Sequence, residues 1–293
     1  CLLSRGLGDV YKRQKLNIRG TKNPQPECCK EKKGFIMHIT FFYQTHLTEG
    51  QWSYINKVFF ENDCRHRKYS LRSIFEAILY LLVSGCQWRM LPKDFPKWQS
   101  VYKFFRKWRE DGHIEHFIEK TIMRIRKKRK QNECPTVGAL DAQSVKWGNR
   151  QSHNGFDANK KVKGIKRNIV VDRNGFILGR TVDNAGKHDS KLAYPLCKQT
   201  SFFWPTLKKI LVDRGYRGEI ADQVKSDFMI ELEVSNTPNG TKGFTPKPLR
   251  WVVERTFAWL DGFRRLTRNY EQSEESAEEM IDFATIKLLI NHI

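Results

Sequence analysis

Three acidic residues sit where metal chemistry would need them. Asp141 lies in Val137-Gly138-Ala139-Leu140-Asp141-Ala142-Gln143-Ser144, Asp213 closes the apolar run Ile210-Leu211-Val212, and Glu254 lies in Arg250-Trp251-Val252-Val253-Glu254-Arg255. The first two follow short apolar segments of buried-strand character, and the third has helical spacing. Carboxylates gathered from distant parts of a chain repel one another unless a cation neutralises them. Mg²⁺ is the natural candidate, with Mn²⁺ as a substitute, because hard cations take carboxylates plus substrate phosphates. Taken singly, each residue also has a plainer reading: Asp141 and Asp213 as turn residues, Glu254 as the helical partner of Arg250.

The flanking pattern supplies elements to carry these residues. From Pro135 the chain reads as strands: Thr136–Leu140, then Arg167–Val171 paired with Phe176–Arg180 across Asp172-Arg173-Asn174-Gly175, then Lys209–Val212 and Phe228–Val234. Asn-Gly between apolar runs is a strong hairpin signal. A helix is expected over Leu249–Leu266, and a late one after the acidic stretch from Glu271, with Met280, Phe283, Ile286 and Leu289 inward. Upstream, Thr48 and Gln51 form a capping box before Trp52, Ile55, Val58 and Phe59. A second helix runs from Ser70 to about Ser84-Gly85, and a third carries Val101, Phe104, Phe105 and Trp108. Trp52, Trp88, Trp98 and Trp108 read as core aromatics before base-stacking surfaces. Three helices with a basic outer face suit a small helix-turn-helix-like module.

Charge points to a polyanion. The 293 residues carry a formal net charge of +21, and from Met37 onward 44 Lys/Arg face 29 Asp/Glu, a surplus of 15. Nucleic acid is the favoured partner, ahead of an anionic membrane. Lys103, Arg106 and Lys107, with the run Arg124–Lys130, make a basic stretch dense enough to track phosphates. The longest apolar run, Ala77–Val83, is far short of the ~20 residues of a spanning helix. No Cys or His pair outside Cys28-Cys29 has zinc-site spacing, and no secretory signal is visible. Reduced thiols in a bacterial cytoplasm are the expectation.

Leu140-Asp141-Ala142-Gln143-Ser144-Val145-Lys146, Val212-Asp213-Arg214-Gly215-Tyr216-Arg217-Gly218 and Arg250 to Leu260 resemble the catalytic segments of bacterial insertion-sequence transposases. The likeness is to the Asp-Asp-Glu group of the family-four/family-five branch, and Asn184-Ala185-Gly186-Lys187-His188-Asp189-Ser190 resembles it too. The resemblance implies an α/β fold: a ribonuclease-H-like mixed sheet with flanking helices over residues 132–293, preceded by a small all-α DNA-binding domain over 37–131. It implies Asp141, Asp213 and Glu254 as the metal-binding catalytic triad of a two-metal DNA cleavage and strand-transfer reaction. It also implies Asn184 and His188 as auxiliaries, and Lys160, Lys161, Lys163, Lys166, Arg167, Arg250, Arg264 and Arg265 as further phosphate contacts. The implied partners are double-stranded DNA, as terminal repeats and as target, and further copies of the chain at the nucleoid. Two alternatives stand beside it: a hydrolysis-only nuclease of the same fold, and a catalytically silent DNA-binding relic. The chain departs from the family at Lys247 and Asp261, where a Tyr and a Lys are usual.

Asp9–Gln14 can be written back as GAT GTG TAT AAG AGA CAG, which resembles a library adapter. The expectation is that Cys1–Gln14 is translated adapter and Lys15–Ile36 translated upstream DNA, with Met37 as the start.

Overall fold

The computed structural model describes residues 43–61, 63, 65–148, 155–216, 218–234 and 250–293, without the side chains of 214 and 250. The adapter, upstream and Met37 readings, and Lys247, lie outside these residues. The described residues fall within one compact unit, Phe41–Ile293.

Among the described residues four helices come first: α1 (Glu49–Val58), α2 (Leu71–Ser84), α3 (Trp98–Glu110) and α4 (His113–Lys128), with a short 3₁₀ turn at Trp88–Met90. The capping box forms as expected, Gln51 N–H donating to Thr48 Oγ1 while the Gln51 side chain accepts from Thr48 N–H. Ser70 caps α2, whose Ile74, Phe75, Ile78, Leu81 and Leu82 are buried. Phe105 and Trp108 are core residues, and Trp52, Trp88 and Phe104 pack against that core. Helix α4 completes the all-α stretch expected to reach residue 131, in which three helices were placed. Its Ile114, Phe117, Ile122 and Ile125 are buried, and so is Arg126, which pairs with Asp172 and donates to Asn132 O at 2.8 Å. The basic run Arg124–Lys130 is therefore partly structural and not one continuous phosphate track.

The sheet follows: β1 (Val137–Lys146), β2 (Gly155–Asp157), β3 (Val162–Val171), β4 (Ile177–Asn184), β5 (Lys209–Val212) and β6 (Glu231–Val234). Its order is β2-β3-β1-β5-β6, with β4 also paired to β3. β1 is antiparallel to β3 and parallel to β5, and β5 is parallel to β6. Parallel neighbours need crossovers. Helix α5 (Asp189–Phe203) links β4 to β5, and α6 (Glu219–Phe228) links β5 to β6. Helices α7 (Arg250–Asp261) and α8 (Glu274–Ile290) close the chain. The architecture is the expected mixed ribonuclease-H-like sheet with flanking helices, preceded by a helical region.

The expected hairpin forms, with Val171 opposite Ile177 and Gly175 at φ 88° in the turn. Two strands differ from expectation. β1 continues past Asp141 to Lys146 because β3 pairs with it all the way, and Phe228 ends α6 instead of starting β6. Alternate residues of the strands serve two cores. Ala139, Val145, Ile165 and Ile169 face a cluster shared with α1–α3, α7 and α8, and Leu140, Val170, Ile210 and Val212 face one built on α5.

Gly164 of β3 sits so close to β1 that an added Cβ would lie 1.9 Å from Val145 O. Gly164→Ala must push the strands apart, and a loss of about 1–3 kcal/mol is expected in urea unfolding. A variant of unchanged midpoint would show that this pairing is looser than the register indicates.

Candidate active site

Asp141 lies within β1, and Asp213 directly follows β5. The last registered pair of these parallel strands is Ala139 with Leu211. Each aspartate stands two residues beyond that pair, so neighbouring strands deliver both to one edge of the site. The strand period of two puts Asp141 on the face of Ala139 and Val145, and Asp213 on that of Leu211. Ala139 and Val145 belong to the core that includes Val252, Val253 and Phe257 of α7, and half-buried Leu211 packs against it. Helix α7 therefore covers the face to which both aspartates belong.

The helix is held in place by its own side chains. Arg255 donates to Asn174 O at 2.9 Å, with its guanidinium stacked against Trp251 and Trp259 at 4.5 and 4.6 Å from the ring centroids. Thr256 Oγ1 donates to Gly175 O at 3.0 Å. These contacts tie α7 to the β3–β4 turn and leave Glu254 on its exposed side. At the other end, Gln143 Nε2 donates to Asp261 Oδ2 at 2.8 Å. Asp261 thus joins α7 to β1, which gives this departure from the family pattern a structural duty.

Tyr216, in the 3₁₀ turn that follows Asp213, packs in the cluster built on α5. It is 2 % exposed, and its hydroxyl has no hydrogen-bond partner among the described residues. Burial first, then the charges of Asp189, Asp141 and Asp213, push its ionisation far above the ordinary tyrosine range. The phenol therefore stays neutral, within electrostatic reach of three carboxylates. Asp189 is itself paired with Lys166 at 2.7 Å. Tyr216→Phe removes a buried hydroxyl that bonds to nothing described, so the melting midpoint should stay the same or rise. A loss of more than about 1 kcal/mol would reveal a partner for it.

The expected cations divide by burial. Lys103, Arg106 and Lys107 on α3, Lys160, Lys161 and Lys163 before and on β3, and Arg264 are exposed. Lys160 Nζ donates to Ala142 O at 2.9 Å, beside Asp141. Lys166, Arg167 and Arg265 are not on the surface. Lys166 also donates to Lys187 O at 2.8 Å, Arg167 donates to Leu266 O at 2.5 Å, and Arg265 pairs with Glu271 at 2.6 Å. Burial pushes the Arg167 guanidinium down to about 10, against the pull of Asp261. As placed, these three brace the fold and cannot meet a DNA phosphate. The Arg250 side chain lies outside the described residues.

Asn184 and His188 shape the loop before α5. Asn184 Oδ1 accepts from Gly186 N at 3.0 Å, and exposed His188 caps α5, its Nδ1 accepting from Ser190 N at 3.3 Å. Asp189 was expected near the site from the Asn184–Ser190 segment, whereas Tyr216 was given no role, although it stands inside the quoted segment that begins at Val212.

Among the described residues no group of three or more His, Cys, Asp or Glu is gathered closely enough to hold a metal ion. The donor chemistry nevertheless fits a hard cation, since Asp141 and Asp213 offer only oxygen and Mg²⁺ completes its shell with water and substrate phosphate. No helix among the described residues is long and apolar enough to cross a membrane.

Known proteins match both parts of this architecture. Residues 132–286, over half of the chain, match the family described as "Transposase DDE domain", and residues 47–118 match "Putative transposase of IS4/5 family". A curated protein of Burkholderia cepacia, "Putative transposase for insertion sequence element IS402", is 29% identical over 140 residues, 44% of this chain. The matched region spans 64% of that relative's length. The family match takes in β1, β5 and α7, the elements that carry the three carboxylates, and through it the chain belongs to the insertion-sequence DDE transposases.

Proposed function

We propose that the chain is the transposase of an insertion sequence, binding the terminal repeats of its element and catalysing Mg²⁺-dependent cleavage and strand transfer. The observation that carries this reading is the β1–β5 register, which sets Asp141 and Asp213 equally far beyond one parallel pair under α7. In it, residues 37–131 form the DNA-binding part and 132–293 the catalytic part. Joining two ends of an element calls for more than one protomer, so the chain assembles on DNA in the bacterial cytoplasm, at the nucleoid.

Asp141, Asp213 and, from α7, Glu254 would hold the cation. When bound, a divalent ion supplies Lewis-acid polarisation of the phosphoryl oxygens and a metal-activated nucleophile. The chain's own residues do the rest. The carboxylates accept the cation only in their ionised state, and Asp141 within β1 and Asp213 directly after β5 are tied to strands that cannot shift without breaking the sheet. The neutral Tyr216 phenol adds no charge to compete with them. Exposed Lys160, Lys161, Lys163 and Arg264 draw the phosphates in and fix the strand's approach. His188, occupied as a helix cap, is not required as a base.

The test is incubation of the purified chain with Mg²⁺ and DNA carrying the element's own ends. Cleavage at the end followed by joining to a second duplex supports the reading. Hydrolysis without joining from a precut end favours the nuclease, and binding without chemistry favours the silent relic.

A further inference from the structure

A row of side chains crosses the sheet past the point where Asp261, the last residue of α7, meets Gln143. Phe156 of β2 stands opposite Lys163 of β3, and Trp147, which continues β1, flanks Lys163 on its other side. Trp147 N–H donates to Lys163 O at 3.2 Å, and the Lys163 ammonium sits 5.3 Å from the Trp147 ring centroid, so lysine and indole share one face. Directly opposed residues of an antiparallel pair also share a face, which adds Phe156 to the row. A lone exposed ring is ordinary. This one is 56 % exposed and stands in line with a cation and a second, half-buried ring. The row is also braced: Asn269 N–H donates to Lys146 O at 2.9 Å and Gly148 N–H to Asn269 O at 2.7 Å, so the end of β1 is bonded along both edges.

Its place relative to the aspartates gives the row a use. The β1–β3 register runs unbroken from Ala139 to Lys146, and Trp147 is six residues beyond Asp141, so the strand period of two sets both on the same face. At about 3.4 Å per residue the separation is about 20 Å, a length that about six stacked nucleotides of one strand span. Lys161 of the β2–β3 turn is exposed with Lys163, while Asp157, the acid of this hairpin, is buried and accepts from Ser144 Oγ at 2.5 Å. A basic surface interleaved with aromatic rings suits single-stranded nucleic acid, cations serving the phosphates and ring faces the unpaired bases. In a paired duplex the base faces already stack on one another, so the exposed ring favours an unpaired strand. We propose that the row Trp147–Lys163–Phe156 is a platform for one unpaired DNA strand leading to the aspartates, a base stacking on Phe156 and the phosphates meeting Lys161 and Lys163. The proposal rests on the DNA-binding reading above and adds to it the form of DNA that this face holds.

The test compares affinity for a fluorescein-labelled blunt duplex with that for the same duplex bearing a single-stranded thymidine tail. The unsubstituted chain is expected to bind the tailed DNA roughly tenfold more tightly, and Phe156→Ala to lose most of that gain while binding the blunt duplex as before. Phe156→Tyr keeps the ring and should keep the preference. Lys163→Ala should reduce the salt dependence of tailed-DNA binding by a slope of about 0.7. Phe156 is exposed, so Phe156→Ala should leave the melting midpoint unchanged, and a folding defect would not explain the lost preference. Equal binding of the two DNAs by the unsubstituted chain, or a preference kept by Phe156→Ala, overturns the proposal alone. Equal weakening of both DNAs by Phe156→Ala would make the row a duplex contact and overturn the unpaired strand. Failure to bind either DNA overturns the transposase reading along with it.

Discussion

Asp213→Asn is expected to lower cleavage and strand transfer by on the order of 10³-fold or more, equivalent to at least about 4 kcal/mol of transition-state stabilisation. The substitution keeps the volume and shape of the side chain and removes its charge. In the proposed site Asp141 and Asp213 stand at the same distance beyond the Ala139–Leu211 pair, so either one alone would leave a hard cation with half of the strand-borne anchor. The melting midpoint in metal-free buffer should be unchanged or raised, since like charges near one another oppose folding. Added Mg²⁺ or Mn²⁺ should stabilise the unsubstituted chain by mass action and fail to stabilise the variant. This second readout needs no DNA, so it separates a lost cation site from a lost DNA contact. Full activity in Asp213→Asn would remove the residue from the site and with it the two-strand arrangement.

Arg180→Met is expected to cost about 3–5 kcal/mol of stability, the usual loss when one member of a buried ion pair is removed. Arg180 lies on β4, pairs with Asp282 of α8, and reaches Glu115 of α4 at 3.2 Å. Three elements thus meet on one guanidinium, and its loss leaves two acids in low dielectric. Burial pushes Asp282 up to about 7, against the pull of Arg180. A carboxyl raised in the folded state binds its proton more tightly there than in the unfolded chain, so its contribution declines as pH rises from about 4 through 7. Without Arg180 the same burial is unopposed. The loss in Arg180→Met should therefore be largest at pH 8 and shrink toward pH 5 in denaturant titrations. Replacing both partners, as Arg180→Met with Asp282→Leu, should recover much of the loss. A single variant as stable as the unsubstituted chain would show that this contact is not what joins the helical region to the sheet.

The local order of this chain was legible because its signals act between residues a few positions apart. Thr48 and Gln51 bond across one helical turn, Asn174-Gly175 sets a hairpin, and Ile74, Ile78, Leu81 and Leu82 mark one face of a helix. The three candidate carboxylates were named from their flanks, and the elements carrying them are those expected. Two boundaries misled. Gln143-Ser144 is polar, and it stays in the strand because β3 runs alongside it, whereas apolar Phe228 reads as the start of a strand and instead ends α6.

What composition could not say is which charges reach solvent. Lys166 and Arg167 adjoin exposed Lys163 in the sequence, yet β3 is covered on both faces, so both side chains are enclosed whichever way the pleat turns them. Their partners, Asp189 and the Leu266 carbonyl, come from distant segments, as do Glu271 and the Cys86 carbonyl for Arg265. The family, the helix and hairpin signals and the identity of the candidate acids were readable along the chain. The shared edge of Asp141 and Asp213 and the burial of three basic residues emerge only on folding, because each depends on contacts between segments that chain order leaves apart.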